Sequence, residues 1–159
     1  MISENVVATP PVAHSTVSLE RTYPAPPARV YAAFADEATK RRWSLELDGM
    51  HVDEFALDFR VGGTETARFR VGNGPQVHTE TVFQDIVPDT RIVFAYRMAM
   101  DGTPTSAALT TVQIAPAGDG TILTYTEQSA YFHQGHSAEL AEEGCAVLLA
   151  SLGNVLAAT

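Results

Sequence analysis

The stretch VDEFALDFRVGGTETARFRV, residues 52–71, decides the fold class. Phe55, Leu57, Phe59 and Val61 alternate with Glu54, Ala56, Asp58 and Arg60, the period of two that marks a half-buried strand. Gly62-Gly63 then breaks the run and permits a tight turn. A second alternation follows over Glu65–Val71, with Ala67, Phe69 and Val71 on one face. Two alternating runs joined by a short glycine turn predict an antiparallel hairpin.

The same reading extends towards the C-terminus. Gly72-Asn73-Gly74-Pro75 is a strong turn signal, and a strand is expected over Val77–Ile86. Pro88-Asp89 turns the chain into Arg91–Met98, where Ile92, Phe94, Tyr96 and Met98 share one side. Asp101-Gly102-Thr103-Pro104 leads into Ala107–Ile114, and Gly118-Asp119-Gly120 into Thr121–Gln128. Turns at this spacing predict an antiparallel meander. Residues 131–136 read as a loop, and Ser137 as the cap of a helix running to Ala157. Leu140, Val147, Leu148, Ser151, Leu152 and Val155 are expected on its apolar face, and Glu139, Glu142 and Glu143 suit its N-terminal half. A helix of ~20 residues spans about 30 Å, enough to cross a sheet.

Towards the N-terminus, Val17, Leu19 and Tyr23 read as a first strand ended by Pro24, Pro26 and Pro27. Ala28–Phe34 is a short helix, and Asp36 caps a second one running to Trp43. Residues 1–14, with Thr9-Pro10-Pro11, read as a flexible tail. The expectation is one α+β domain over residues 15–159. A curved antiparallel sheet of about seven strands carries two short helices after its first strand and a long C-terminal helix across it.

Composition narrows the function. A chain with 45% hydrophobic and 18% charged residues is not disordered throughout. Ten basic against 19 acidic residues leave a net charge of -9, which repels phosphate backbones and anionic membranes. Neither nucleic acid nor membrane is expected as a partner. Cys145 is the single cysteine, so no internal disulfide or cysteine-rich zinc site can form. The opening Met1-Ile2-Ser3-Glu4-Asn5 lacks the basic start of a signal peptide, and no apolar run approaches the ~20 residues of a membrane span, so a cytoplasmic location is expected.

No signature of catalysis is present. There is no GxSxG elbow, and no lysine follows the glycine turns in the phosphate-loop pattern. His133 and His136 are three apart but flank Gly135 in a loop without an HExxH pattern, so no metal or cofactor is expected. Cys145 reads as a small hydrophobe. Glu80 and Asp85 have odd spacing on one strand and are expected on opposite faces, with Glu80 facing Arg68 or Arg70 across a hairpin. Glu127 is either an anchor or base near a cavity, or a half-exposed partner of Arg21 or Arg97. An edge strand leaves a homodimer open.

The order of elements resembles the helix-grip, or START-like, fold of the SRPBCC superfamily. The stretches that carry the resemblance are RTYPAPPARVY (residues 21–31), Trp43, Val61-Gly62-Gly63, QDIVPDTRIV (residues 84–93), Gly120-Thr121 and Thr126-Glu127-Gln128. Within the superfamily they look most like the branch named for the activator of the heat-shock-protein-90 ATPase, whose bacterial members are often labelled polyketide cyclase-like. Two stretches depart from that branch: Gly144-Cys145 stands where Gly-Trp is common, and Phe132-His133-Gln134-Gly135 where an acidic loop is common. The resemblance implies a cavity between sheet and C-terminal helix that binds a small hydrophobic or amphipathic molecule without catalysis. Trp43, Phe59, Phe69, Tyr96 and Leu148 would form its walls and Glu127 its polar anchor. It also implies two alternatives, a polyketide cyclase/dehydratase-like enzyme working through Glu127 and Tyr96, and a co-chaperone-like activator of a heat-shock ATPase. The alternation itself serves a filled core and a cavity equally well.

Overall fold

In the computed structural model, which describes residue 9, residues 11–133, residue 135 and residues 137–158, the expected meander is present. Its strands are β1 (Ala13–Tyr23), β2 (Met50–Leu57), β3 (Thr64–Val71), β4 (Val77–Val87), β5 (Arg91–Met100), β6 (Thr103–Ala117) and β7 (Gly120–Tyr131). They form one antiparallel sheet in the order β1-β7-β6-β5-β4-β3-β2. Register shifts interrupt three strand pairs, at Val52/Glu54, Phe83/Asp85 and Met98/Ala99. Such bulges bend a strand and increase its twist, which lets the sheet curve around a helix. β1 begins at Ala13 and so takes in the last two residues of the expected tail. Pairing with Tyr131 and Ala130 draws Ala13 and the exposed His14 into the sheet.

The family-like stretches prove to be joints of the fold. β2 ends at Leu57, so Phe59 and Val61 leave the strand that their alternation predicted. The chain turns back over residues 58–63, closed by hydrogen bonds from Asp58 N to Thr64 O and from Gly63 N to Arg60 O, both 2.8 Å. Gly62 has φ +79°, and a Cβ on Gly63 would lie 2.2 Å from Asp58 O, so this turn needs both glycines. At the other end of the sheet a Cβ on Gly120 would meet Tyr23 O at 2.4 Å. Its neighbour Thr121, fully buried, donates to Ala25 O at 2.6 Å and ties β7 to the chain leaving β1.

Helices α1 (Pro27–Ala35) and α2 (Glu37–Leu45) follow β1. Asp36 separates them and caps α2 by accepting from Thr39 N at 2.9 Å. Trp43 is 4% exposed; its ring packs edge-on against Phe34 at 5.0 Å and its indole N–H donates to Ala33 O at 2.8 Å. Helix α3 (Ala138–Ala157), capped by Ser137, lies against β1, α1 and α2. Tyr23 Oη donates to Leu149 O at 2.8 Å, and the Arg29 guanidinium donates to Leu156 O.

The buried stripe of α3 is Cys145, Leu149, Leu152 and Leu156, with Ser151 beside it. This corrects the expected face, because Leu140 and Val147 are more than half exposed. The physical reason is that α3 is apolar on several sides. By length and mean composition alone it is long and apolar enough to cross a membrane, although Glu139, Glu142 and Glu143 interrupt its apolar run as the sequence indicates. Apolar residues all round give a helix little contrast from which to read its rotation. Leu152 is fully buried in the main core with Ile92, Val112 and Leu123. Leu152→Ala is expected to lower the unfolding free energy by about 2–5 kcal/mol, read as a drop in the urea midpoint. A shift below ~1 kcal/mol would show that α3 is not seated as described.

Candidate functional site

The inner face of the sheet can be followed from strand to strand. One row runs Val17, Glu127, Thr110, Phe94 and Phe83 across β1, β7, β6, β5 and β4. The row on one side is Leu19, Tyr125, Val112 and Ile92; the row on the other runs Ser15, Ser129, Ala108, Tyr96, Thr81 and Glu65. The face is therefore apolar towards α1 and increasingly polar away from it.

Glu127 is 7% exposed and lies at the boundary. Its Oε1 accepts a 2.6 Å hydrogen bond from Tyr96 Oη, and its Oε2 accepts from Cys145 Sγ at 3.6 Å, the thiol being a weak donor. The arginines considered as its partners are engaged elsewhere. Arg97 pairs with Glu80 at 3.3 Å, and Arg21 donates to Glu20 O at 2.8 Å. Burial raises the pKa of Tyr96, Tyr125 and Cys145, and the Glu127 carboxylate adds to each shift; Cys145 reaches about 12. The thiol is thus held protonated at neutral pH, a poor nucleophile and a donor to Glu127. Thr110, opposite Glu127, is fully buried. The Thr110 hydroxyl beside the Tyr125 phenol opposes the rise in its pKa. Among the described residues Thr110 Oγ1 makes no hydrogen bond within the usual distance and angle limits.

A rail of aromatic rings leads to this cluster. Tyr31, Phe59, Phe83, Phe94 and Tyr96 follow one another at centroid distances of 5.7, 5.1, 6.1 and 6.2 Å. On the far side of Phe94 the Lys40 ammonium of α2 meets the Glu65 carboxylate at 2.8 Å. Of the six anticipated site residues, the structure joins Phe59, Tyr96 and Glu127 in one continuous arrangement. Trp43 lies on the α1–α2 side, in the same core cluster as Phe83, and Lys40 is 5.3 Å from its ring and 5.9 Å from that of Phe94. Leu148 is a half-buried residue of α3 packed against the core. Phe69 is half-buried on β3, opposite Val77 of β4 and away from the ring contacts.

Lys40, Glu65, Thr110 and Tyr125 were not singled out as site residues from sequence. Glu65 and Thr110 carried a usable signal, since each shares strand parity with apolar neighbours, Ala67 and Phe69 in one case and Val112 and Ile114 in the other. Lys40 carried none. Glu80 and Asp85 correct a further expectation: both face outwards, Glu80 against Arg97 and Asp85 against Arg91 at 2.7 Å. The bulge at Phe83/Asp85 inserts one residue and restores the parity that odd spacing had broken. Arg68 pairs with Glu54 at 2.9 Å, not with Glu80. Among the described residues no group of three His, Cys, Asp or Glu side chains is placed to hold a metal. His136 and Gln134 lie outside the described residues.

Two open depressions flank the sheet. The larger, about 570 Å³, lies over β1, β7 and β6 around His14, Leu109 and Gln128, away from the Glu127 cluster. The smaller, about 390 Å³, separates β1 from the first half of α3 and is lined by Leu19, Arg21, Ala146 and three glutamates, Glu139, Glu142 and Glu143.

Solved structures extend these observations. The Mll3558 protein from Rhizobium loti is 56% identical, covers 91% of this chain and 99% of its own, and superposes with a TM-score of 0.83. A putative uncharacterized protein from Rhizobium leguminosarum is 32% identical over 94% of this chain and 98% of its own, with a TM-score of 0.89. An AHSA1-like protein from Aeromonas hydrophila, 20% identical over 91% and 93% of the two chains, shares the fold at a TM-score of 0.70. No curated protein matches the chain. The profile of the Activator of Hsp90 ATPase homolog 1-like proteins matches residues 24–157, from the prolines before α1 to the end of α3. With that match and a helix-grip architecture, the chain belongs to the Activator of Hsp90 ATPase homolog 1-like family, within the SRPBCC superfamily of ligand-binding domains.

Proposed function

We propose that this protein binds a small amphipathic molecule on the concave face of the sheet, beside α3. The observation that carries the reading is the polar cluster around Glu127 at the end of an aromatic rail. Binding sites are mostly apolar with a few placed polar groups, whereas a core built only for stability gains little from a buried carboxylate. Phe55, Phe59, Phe69, Tyr96 and Met98 are only half-buried on this side of the sheet, so apolar surface remains for a ligand to cover. The single buried thiol suits a reducing cytoplasm as the place of action.

The test uses the neutral fluorescent probe N-phenyl-1-naphthylamine. Saturable one-site enhancement is expected in the native protein. Phe69→Glu places a charge among the half-buried side chains and is expected to weaken the probe at least tenfold while leaving far-UV circular dichroism unchanged. Absence of saturable binding, or binding indifferent to that change, would sink the reading. The enzyme alternative keeps one specific support, since Tyr96 and Glu127 touch on the inner face as that chemistry requires. The raised pKa of Tyr96 restricts the phenol to an acid's or donor's role. The co-chaperone alternative rests on the family's name, and a shared fold is a weak warrant for it.

A further inference from the structure

The hydrogen-bonding state of the cluster bears on what its ligand must look like; this step rests on the binding reading above. Two donors reach Glu127, the Tyr96 hydroxyl and the Cys145 thiol. A carboxylate offers about four lone-pair sites, and a thiol fills its place poorly. Directly across the β6–β7 pair, Thr110 Oγ1 is buried beside the Tyr125 phenol and is left without a hydrogen bond among the described residues. Buried polar groups in native proteins are nearly always satisfied, so an orphan oxygen facing an under-donated carboxylate marks a place for an outside group. Among the described residues no cationic side chain pairs with Glu127: Lys40 is bound to Glu65, Arg97 to Glu80 and Arg91 to Asp85.

Charge at the rim points the same way. The depression between β1 and α3 carries Glu139, Glu142 and Glu143 against Arg21 alone. Ala146 of that rim is next in sequence to Cys145, and Leu19 is paired with Tyr125 of the cluster. An anion near this depression meets a field of its own sign, in a chain whose net charge is already -9. A carboxylate or sulfate head would then add a second buried negative charge beside Glu127.

We infer that the site selects amphipathic molecules whose polar head donates hydrogen bonds and carries no negative charge, an ammonium or a hydroxyl, held between Glu127 and Thr110. The head donates to the carboxylate and either accepts from or donates to the threonine hydroxyl, while the apolar body lies along the aromatic rail.

The experiment compares three ten-carbon probes below their aggregation concentrations, decylamine, decanol and decanoate, each displacing N-phenyl-1-naphthylamine from the full chain. Decylamine is expected to bind tightest, decanol next, and decanoate at least tenfold more weakly than decylamine. Thr110→Val, which keeps the side-chain shape, is expected to weaken decanol and decylamine several-fold while decanoate is unchanged. Glu127→Gln is expected to abolish the preference for the amine over the alcohol. Decanoate binding as tightly as decylamine overturns the head-group inference and leaves the binding reading intact. Failure of all three probes, together with failure of the fluorophore, overturns the binding reading itself. Equal affinities in wild type and Thr110→Val, with both folded by thermal melt, remove Thr110 from the site.

Discussion

Lys40→Met is expected to lower the unfolding free energy by about 3–5 kcal/mol, because it leaves a buried carboxylate without its countercharge. The Lys40 and Glu65 side chains are 10% and 14% exposed, and their charged ends are 2.8 Å apart. The ammonium also lies within 5.8 Å of the Phe34 ring, 5.3 Å of Trp43 and 5.9 Å of Phe94. Surface pairs contribute little, but this one has been taken out of water among aromatic rings, where one partner's loss is felt in full. The double variant Lys40→Met/Glu65→Leu removes both charges and is expected to recover most of the loss. Urea denaturation of the wild type, the two single variants and the double variant completes the cycle. A single variant within about 1 kcal/mol of wild type would show that Glu65 finds water or another donor. The pair joins α2 to β3, so its loss should also loosen the aromatic rail between them.

Above pH 9 the protein is expected to lose stability steeply, over a window set by its buried thiol and phenols. Burial and then Glu127 raise Cys145 from 9.0 to about 12, and burial, opposed by Arg21, raises Tyr23 from 10.0 to about 12. Burial followed by Glu127 also raises Tyr96 and Tyr125. The folded chain therefore holds these protons more tightly than the unfolded chain. Below pH 9 both states keep them and the contribution is fully present. From pH 9 for the thiol, and pH 10 for the phenols, the unfolded state releases protons first. Stability then falls by roughly 1.4 kcal/mol per pH unit for each such group until the folded pKa is reached. The urea midpoint should be flat with respect to these groups from pH 7 to 8.5 and decline from 9 towards 12. Cys145→Ala should remove the earliest part of the decline, between pH 9 and 10. A midpoint that stays level to pH 11, or a decline identical in Cys145→Ala, would contradict the description of the cluster.

Periodicity alone was enough for the meander, because adjacent strands linked by short turns leave their signal in consecutive residues. The Phe55–Leu57 and Ile92–Met98 alternations and the glycine turns all fall within one or two residues of the observed elements. The signal failed where one residue changes parity or where contrast is missing. The bulge after Phe83 turned Asp85 to the side of Glu80, and the turn over residues 58–63 took Phe59 off its strand. On α3 the spread of apolar residues concealed that Cys145, and not Leu140 or Val147, faces the sheet.

Glu127 and Tyr96 were legible as candidates on their own strands, but their contact was not. The two residues are 31 apart in sequence and lie on β7 and β5, with β6 between them. The sequence by itself determined the seven-strand sheet, the two short helices and the long final helix, since each follows from local pattern, capping and turns. Only the tertiary structure decided that Glu127 meets Tyr96 and Cys145 in place of an arginine, that Lys40 is matched to Glu65, and that Thr110 Oγ1 is left without a hydrogen bond among the described residues. Those outcomes depend on strand register and on the rotation of α3 over the sheet, which are set by packing between segments distant in the chain.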